Sequence, residues 1–299
     1  MLQQTQVSTV LSRFYYPFLE KFPTVQSLGN APREAVMKAW EGLGYYRRAG
    51  FLHEAAKRAH NGLPDDFVGL SALPGIGRNT ASAILAFGHH QPVAILEANV
   101  KRVVSRIFTL EYPNEKQLWE CAEQLLDRDQ PFNYNQAMMD IGSSICTPKN
   151  PRCAECPANV ICEGQKAPEK YPAPKVKKAV PVRHVAILVM QDATGKLYLE
   201  KRDEALLGGL WGFPQEVPPP EGEGIYLAHV THIYTHFRLE GVIYLKKIDE
   251  KKRGTNWFSR EEIAALPLSK LDHKVLAAMD ACNTASANAR PKPRTRRRA

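Results

Sequence analysis

Four cysteines carry the clearest chemistry in this chain. Cys146, Cys153, Cys156 and Cys162 fall close together, in the pattern C-x6-C-x2-C-x5-C. The opening residues lack the charged-then-apolar build of a signal peptide, so these thiols are not expected to form disulfides. Four thiolates this close suit a metal, and both zinc and an iron–sulfur cluster accept four cysteines. Zinc sites commonly use two C-x2–4-C knuckles and only one is present, which favours iron and sulfur. Cys121 sits on the apolar face of a predicted helix and reads as core. Cys282 begins a polar tail and reads as a surface thiol.

A second candidate is "ALPGIGRNTASAILAFG", where Leu73-Pro74-Gly75-Ile76-Gly77 leads into an apolar helix. Gly75 and Gly77 let backbone approach a partner closely, and the amides of the following helix start suit a phosphate. A bare G-x-G serves equally as a tight turn between helices. The longer string is much more specific.

These residues need elements to hold them. Residues 1–162 show apolar residues at helical spacing, as in Phe14–Phe22, Thr80–Phe87, Val100–Ile107 and Leu118–Leu126. "NAPRE", "NGLPDD", "LPGIG" and "EYPNE" punctuate them, so one all-α domain is predicted. Residues 163–180 are rich in Pro and Lys and read as a linker. From 181 the grammar changes. "VRHVAILVMQDATGKLYLEKR" reads as a hairpin, and "IYLAHVTHIYTHFRLEGVIYLKK" as further strands. Ser259 with Glu262 reads as a capping box opening a helix. Residues 181–281 are therefore predicted to be α+β, followed by a disordered basic tail over 282–299.

The chain of 299 residues has ordinary globular composition, 44% hydrophobic and 24% charged. Its net charge of +9 is confined to two places. The tail carries +6 and the 163–180 segment +3, so overall basicity says little about a nucleic-acid partner. No apolar run reaches membrane-spanning length and no signal peptide opens the chain, so a cytoplasmic protein is expected.

The hairpin string L-P-G-I-G-R-x-T-A resembles the helix-hairpin-helix that grips DNA backbone in the endonuclease III superfamily. The cysteine spacing is similar to that superfamily's 4Fe-4S loop, so the resemblance chooses iron–sulfur over zinc where spacing does not. Within the superfamily the chain resembles the MutY adenine DNA glycosylases. The strings that carry this are "MLQQTQV", "WEGLGYYRRA", "LPGIGRNTA", "NVKRVVSR" and "FNYNQAMMDIGSSICT". "GGLWGFP" and "THIYTHF" resemble the family's Nudix-like recognition domain. No Nudix box, G-x5-E-x7-R-E-x2-E-E, is present, so nucleotide hydrolysis is not expected.

The resemblance implies a multi-domain protein, an all-α glycosylase domain followed by an α+β Nudix-like domain. Its implied task is to remove adenine mispaired with 8-oxoguanine, or guanine, in double-stranded DNA. By the same resemblance Gln4 fills space in the duplex and Thr5 lies beside the oxidised guanine. Tyr45 is the wedge aromatic, although Tyr45 and Tyr46 also read as a stacking pair of which one belongs to the core. Asn99 is an active-site amide. Tyr234, Thr235 and His236 match the Phe-Ser-His loop that senses 8-oxoguanine. Two departures stand out. Asn79 occupies the place of the Schiff-base lysine of lyases, which implies a monofunctional glycosylase rather than an endonuclease III-like lyase. Glu97, in "ILEAN", replaces the catalytic aspartate. It reads either as that carboxylate, one methylene longer, or as a helix-terminal acid facing the dipole. The family's general-acid glutamate stands two residues before the Met of "MLQQTQV", hence upstream of Met1. The expectation is that an internal methionine has been taken for the start. The alternative is a catalytically impaired remnant that still binds damaged DNA.

Overall fold

A computed structural model describes residues 1, 10–174, 179–203, 206–216, 224–248 and 256–288, with side chains to 282. Gln4 and Thr5 lie outside the described residues. By its internal contacts the chain forms two units, one of residues 1–57 with 179–299 and one of residues 58–178.

The first unit begins with a short π-helical turn that runs into α1 (Tyr16–Lys21), followed by α2 (Val25–Asn30), α3 (Arg33–Ala39) and α4 (Tyr46–Arg58). Thr24 and Ser27 cap α2 reciprocally. Phe18, Phe22, Leu28, Met37, Trp40 and Ala49 bury one face of these helices, and Leu207 and Leu210 join the same core from far along the chain. The sheet of this unit is mixed. β1 (Val182–Asp192) runs parallel to β7 (Arg238–Ile248), and β6 (Ile225–Ile233) pairs antiparallel on β7's outer side. The short strands β2 (Leu197–Tyr198) and β8 (Trp257–Phe258) extend the other side. β3 (Glu200–Lys201) pairs with β4 (Trp211–Gly212), while β5 (Gln215–Glu216) pairs with β1. Ile187 opposes Ile243 in the β1–β7 register, and both are fully buried in one core with residues of α10 (Arg260–Ala265) and α11 (Lys270–Asn288). The predicted hairpin is present. Asp192 Oδ1 accepts from the Thr194 and Lys196 amides, and Gly195 takes φ +85°. Ser259 and Glu262 form the expected capping box.

The second unit holds α5 (Phe67–Ser71), α6 (Arg78–Gly88), α7 (Ala98–Ile107), α8 (Glu115–Leu125) and α9 (Pro131–Asp140), then the cysteine loop. Its core gathers Leu96, Val100, Val104, Leu118, Trp119, Met138 and Cys146. No helix among the described residues is long and apolar enough to cross a membrane.

Three boundaries differ from those predicted. Residues 1–57 share contacts with the Nudix-like half rather than with 58–162, because Leu207 and Leu210 complete their apolar core. Residues 163–174 are folded, not linker. The buried Arg106 guanidinium donates to Pro168 O and Tyr171 O, and the Ala173 amide to Glu111 O. The helix expected to end before 282 continues to Asn288, and Cys282 is half-buried, its thiol reaching Leu227 O. Residues 289–299 lie outside the described residues.

Candidate functional site

The hairpin string joins α5 to α6. Gly75 takes φ +77°, a conformation L side chains adopt only under strain. Gly77 is the N-cap of α6 with extended backbone, and no side chain caps the helix. A Cβ at Gly77 would touch nothing within 4 Å. Glycine there is not required by packing, and the bare cap leaves the helix amides open to an outside acceptor such as phosphate. The Arg78 guanidinium stacks 3.8 Å from the centre of the Trp119 ring, tying the hairpin to α8.

α6 also positions the next group. Asn79 Oδ1 accepts from the Leu96 amide at 2.7 Å. Asn135, buried on α9, accepts from the Ile95 amide at 2.9 Å and donates to Val93 O and Pro131 O. Two asparagines thus pin the extended segment that delivers Glu97 to the N-cap of α7. Glu97 Oε1 accepts from the Asn99 and Val100 amides at 2.9 and 3.2 Å. Asn99 Oδ1 accepts from Arg102, which also donates to Gly142 O and Cys146 O. A Cβ on Gly142 would come within 2.7 Å of the Asn99 Cβ, so glycine is needed for this approach. Glu97, Asn99 and the first cysteine therefore share one hydrogen-bonded chain through Arg102.

Cys146, Cys153, Cys156 and Cys162 line one small cavity with Arg106. Arg106 is buried and donates to Cys146 Sγ at 3.2 Å, to Thr147 O and to Pro148 O. A Cβ at Gly164 would fall 2.4 Å from Arg106 O, so the loop closes tightly over this arginine. Burial, reinforced by the neighbouring cysteines, raises the Cys153 and Cys162 thiols above their ordinary range. Ligation must overcome that cost, and a cation among four thiolates supplies the means. Four soft donors around one cavity, with a buried guanidinium at the first sulfur, suit a thiolate-held metal group, zinc or an iron–sulfur cluster.

In the other unit a cavity of about 560 Å³ gathers Tyr45, Tyr46, Arg47 and Arg48 with residues 232–236, Ser269 and Lys270. Tyr45 stands at φ +50° beside Gly42 and Gly44, both also at positive φ. Strain at a non-glycine residue concentrates at functional sites. Its ring is exposed, with the Arg48 guanidinium 4.9 Å from the ring centre. Tyr46 is the core member of the pair. Its hydroxyl accepts from the Gly42 amide and donates to Leu268 O. Tyr234 stacks on Phe237, and its amide donates to Phe237 O, so residues 234–237 make the tight turn between β6 and β7. Burial pushes the Tyr234 hydroxyl up to about 12, which keeps it a neutral donor. Thr235 and His236 stand at the tip, both exposed. The cavity thus brings Tyr45 together with Tyr234, Thr235 and His236, while Gly75, Gly77, Glu97, Asn99 and the cysteines belong to the other unit. Sequence reasoning gives no role to Arg47, Arg48, His232, Lys270, Arg106 or Asn135. All but Lys270 lie within the matching strings, yet the strings do not say what each side chain touches.

Comparison with known proteins agrees with these features. Residues 1–128 match the family of HhH-GPD superfamily base excision DNA repair proteins, and residues 185–278 match a NUDIX domain. The structure of a thermostable thymine-DNA glycosylase superposes with a TM-score of 0.50 at 28% identity, over 55% of this chain and 80% of that one. Fold and hairpin together define a base-excision-repair protein of the helix-hairpin-helix class with a Nudix-like second domain. The chain is 36% identical, over 72% of its length, to the adenine DNA glycosylase of Buchnera aphidicola subsp. Baizongia pistaciae. It is 32% identical, over 83% of its length, to that of Arabidopsis thaliana. Within the superfamily the chain belongs to the MutY-type adenine DNA glycosylase family. It spans 64% of the Buchnera protein and 46% of the Arabidopsis protein.

Proposed function

We propose that this protein is a monofunctional base-excision glycosylase. It acts as a monomer on double-stranded DNA and removes adenine mispaired with 8-oxoguanine or guanine. The observation that carries the reading is the meeting of Tyr45 with Tyr234, Thr235 and His236 around one cavity, from segments far apart in the chain. An aromatic wedge beside a hydroxyl and an imidazole suits a purine held by stacking and read at its edge. The open amides of α6 hold the backbone by a phosphate. Adenine leaves the stack for a pocket. As its bond to the sugar breaks, adenine takes up a proton, the Glu97 carboxylate stabilises the positive charge left on the sugar, and water adds there with loss of a proton, as in glycoside hydrolysis. Asn99, its oxygen held by Arg102, keeps its amide hydrogens for the substrate. Asn79 is a neutral amide bound to Leu96 N, so no amine attacks the sugar and the strand is left intact. Cys146, Cys153, Cys156 and Cys162 would hold a 4Fe-4S cluster, which ties the loop at residues 146–162 into one folded piece.

A second reading, a protein that binds damaged DNA without chemistry, draws on the engagement of Glu97 Oε1 by its own helix. The test is single-turnover kinetics on an adenine:8-oxoguanine duplex. The proposal expects adenine release and an abasic site that breaks only under alkali. Tight binding with no base release establishes the second reading. Strand cleavage without alkali overturns monofunctionality.

A further inference from the structure

We propose that Arg47 and Lys270 form a phosphodiester site at the mouth of the recognition cavity, holding the backbone of the strand that carries the oxidised guanine. This rests on the reading above, in which the cavity takes that purine. The cavity wall contributes Arg47, Arg48, His232, His236 and Lys270, and among the described residues no acidic side chain lines it. Several other basic groups of the same unit are neutralised by partners: Lys38 pairs with Glu41, Lys196 with Glu262, Lys201 with Glu34, and Arg202 with Asp272. Among the described residues Arg47 and Lys270 have no ion pair, and both are exposed. Their charge is therefore neither cancelled nor buried, and it faces one opening.

Two further features sharpen the assignment. Arg47 lies over the Phe51 ring, one turn along α4, with 5.5 Å to its centre, which limits where the guanidinium can go. His232 is held below its ordinary range, first by burial and then by Lys274 and Lys270. The imidazole inside the cavity is thus neutral and suited to hydrogen bonding, while the fixed positive charge sits at the rim. A space of about 560 Å³ lies in the range that encloses a drug-sized ligand. It has room for a nucleotide with its phosphate. Stacking surface inside and cation outside is the division of labour by which base contacts specify and phosphate contacts position.

The experiment is equilibrium binding to two duplexes, with 8-oxoguanine or guanine opposite a non-cleavable adenine analogue, over a salt series. The wild-type chain, Lys270→Ala, Arg47→Ala and Lys270→Arg are compared. Each alanine variant is expected to weaken both duplexes by the same factor and to reduce the slope of log K against log salt by about 0.9. Lys270→Arg restores the slope. Lys196→Ala removes an ammonium already paired with Glu262 and leaves the slope unchanged. An unchanged slope in Lys270→Ala and Arg47→Ala, in a wild-type chain that prefers 8-oxoguanine, overturns the proposal. So does an equal drop in Lys196→Ala. A wild-type chain with no preference between the duplexes instead refutes the reading of the cavity itself.

Discussion

The cysteine loop and the recognition cavity are built in opposite ways. The loop's four sulfurs come from one short stretch, Cys146 to Cys162. Its distant support is chiefly Arg106, a single side chain making five hydrogen bonds. The cavity has no such local source. Residues 44–48, 206–207, 232–236 and 269–270 meet only because α4 and the Nudix-like sheet share one unit. A site built locally is written in spacing. A site built across the chain is written in packing, which one sequence does not display.

The largest expected effect breaks the local site. Cys156→Ser is expected to abolish iron content and the broad visible absorbance of the cluster, and with them the fold of the loop. Elemental analysis and visible spectroscopy check this, and zinc in the wild-type protein would contradict the cluster. Glu97→Gln comes next. The amide oxygen still accepts from the Asn99 and Val100 amides, so the cap survives and stability changes by less than about 1 kcal/mol. Base release falls by about 100- to 1000-fold, the usual cost of losing one charge-stabilising group. Denaturant unfolding beside single-turnover kinetics separates the two.

A smaller effect probes the hairpin. Gly75→Ala forces a Cβ into φ +77° and costs roughly 1–2 kcal/mol. Gly77→Ala meets no protein atom and leaves stability nearly unchanged, yet it intrudes on the phosphate approach. DNA affinity falls in both, but only Gly75→Ala lowers the unfolding midpoint. The smallest effect lies beside the cavity. Burial works to raise Glu41, but hydrogen bonds from His273, Lys38 and the Leu268 amide outweigh it and hold the carboxyl below its ordinary range. A group depressed on folding contributes stability above its unfolded value, about 4.3, and that contribution is lost as pH falls through the folded value. Glu41→Gln is expected to flatten the acid limb of a stability–pH curve, below about pH 4.3, by roughly 1 kcal/mol or less.

The same contrast explains what can be read in advance. The hairpin glycines, the Ser259–Glu262 cap and the "DATGK" turn are decided within a few residues, and each appears where the sequence places it. Sequence reads Glu97 as a catalytic carboxylate or a helix-terminal acid, and the structure adds that its Oε1 caps α7. Asn135 lies in a matching string, but its role is not legible there, because it binds the Ile95 amide 40 residues away. The 1–162 boundary follows helical periodicity, which cannot report that Leu207 and Leu210 complete the first helices' core. Tyr45 and Tyr46 look alike in sequence. Positive φ turns one outward and lets the other bury its hydroxyl against Gly42 and Leu268.

The central claim is that the turn at 234–236 reads the oxidised base. Its most direct measurement is the ratio of affinities for 8-oxoguanine and guanine duplexes in the wild-type chain and in Thr235→Val with His236→Ala. The account predicts a wild-type preference for 8-oxoguanine of at least about tenfold, the value of one good base contact, collapsing toward unity in the double variant while guanine affinity holds. A preference that survives the double variant would contradict it.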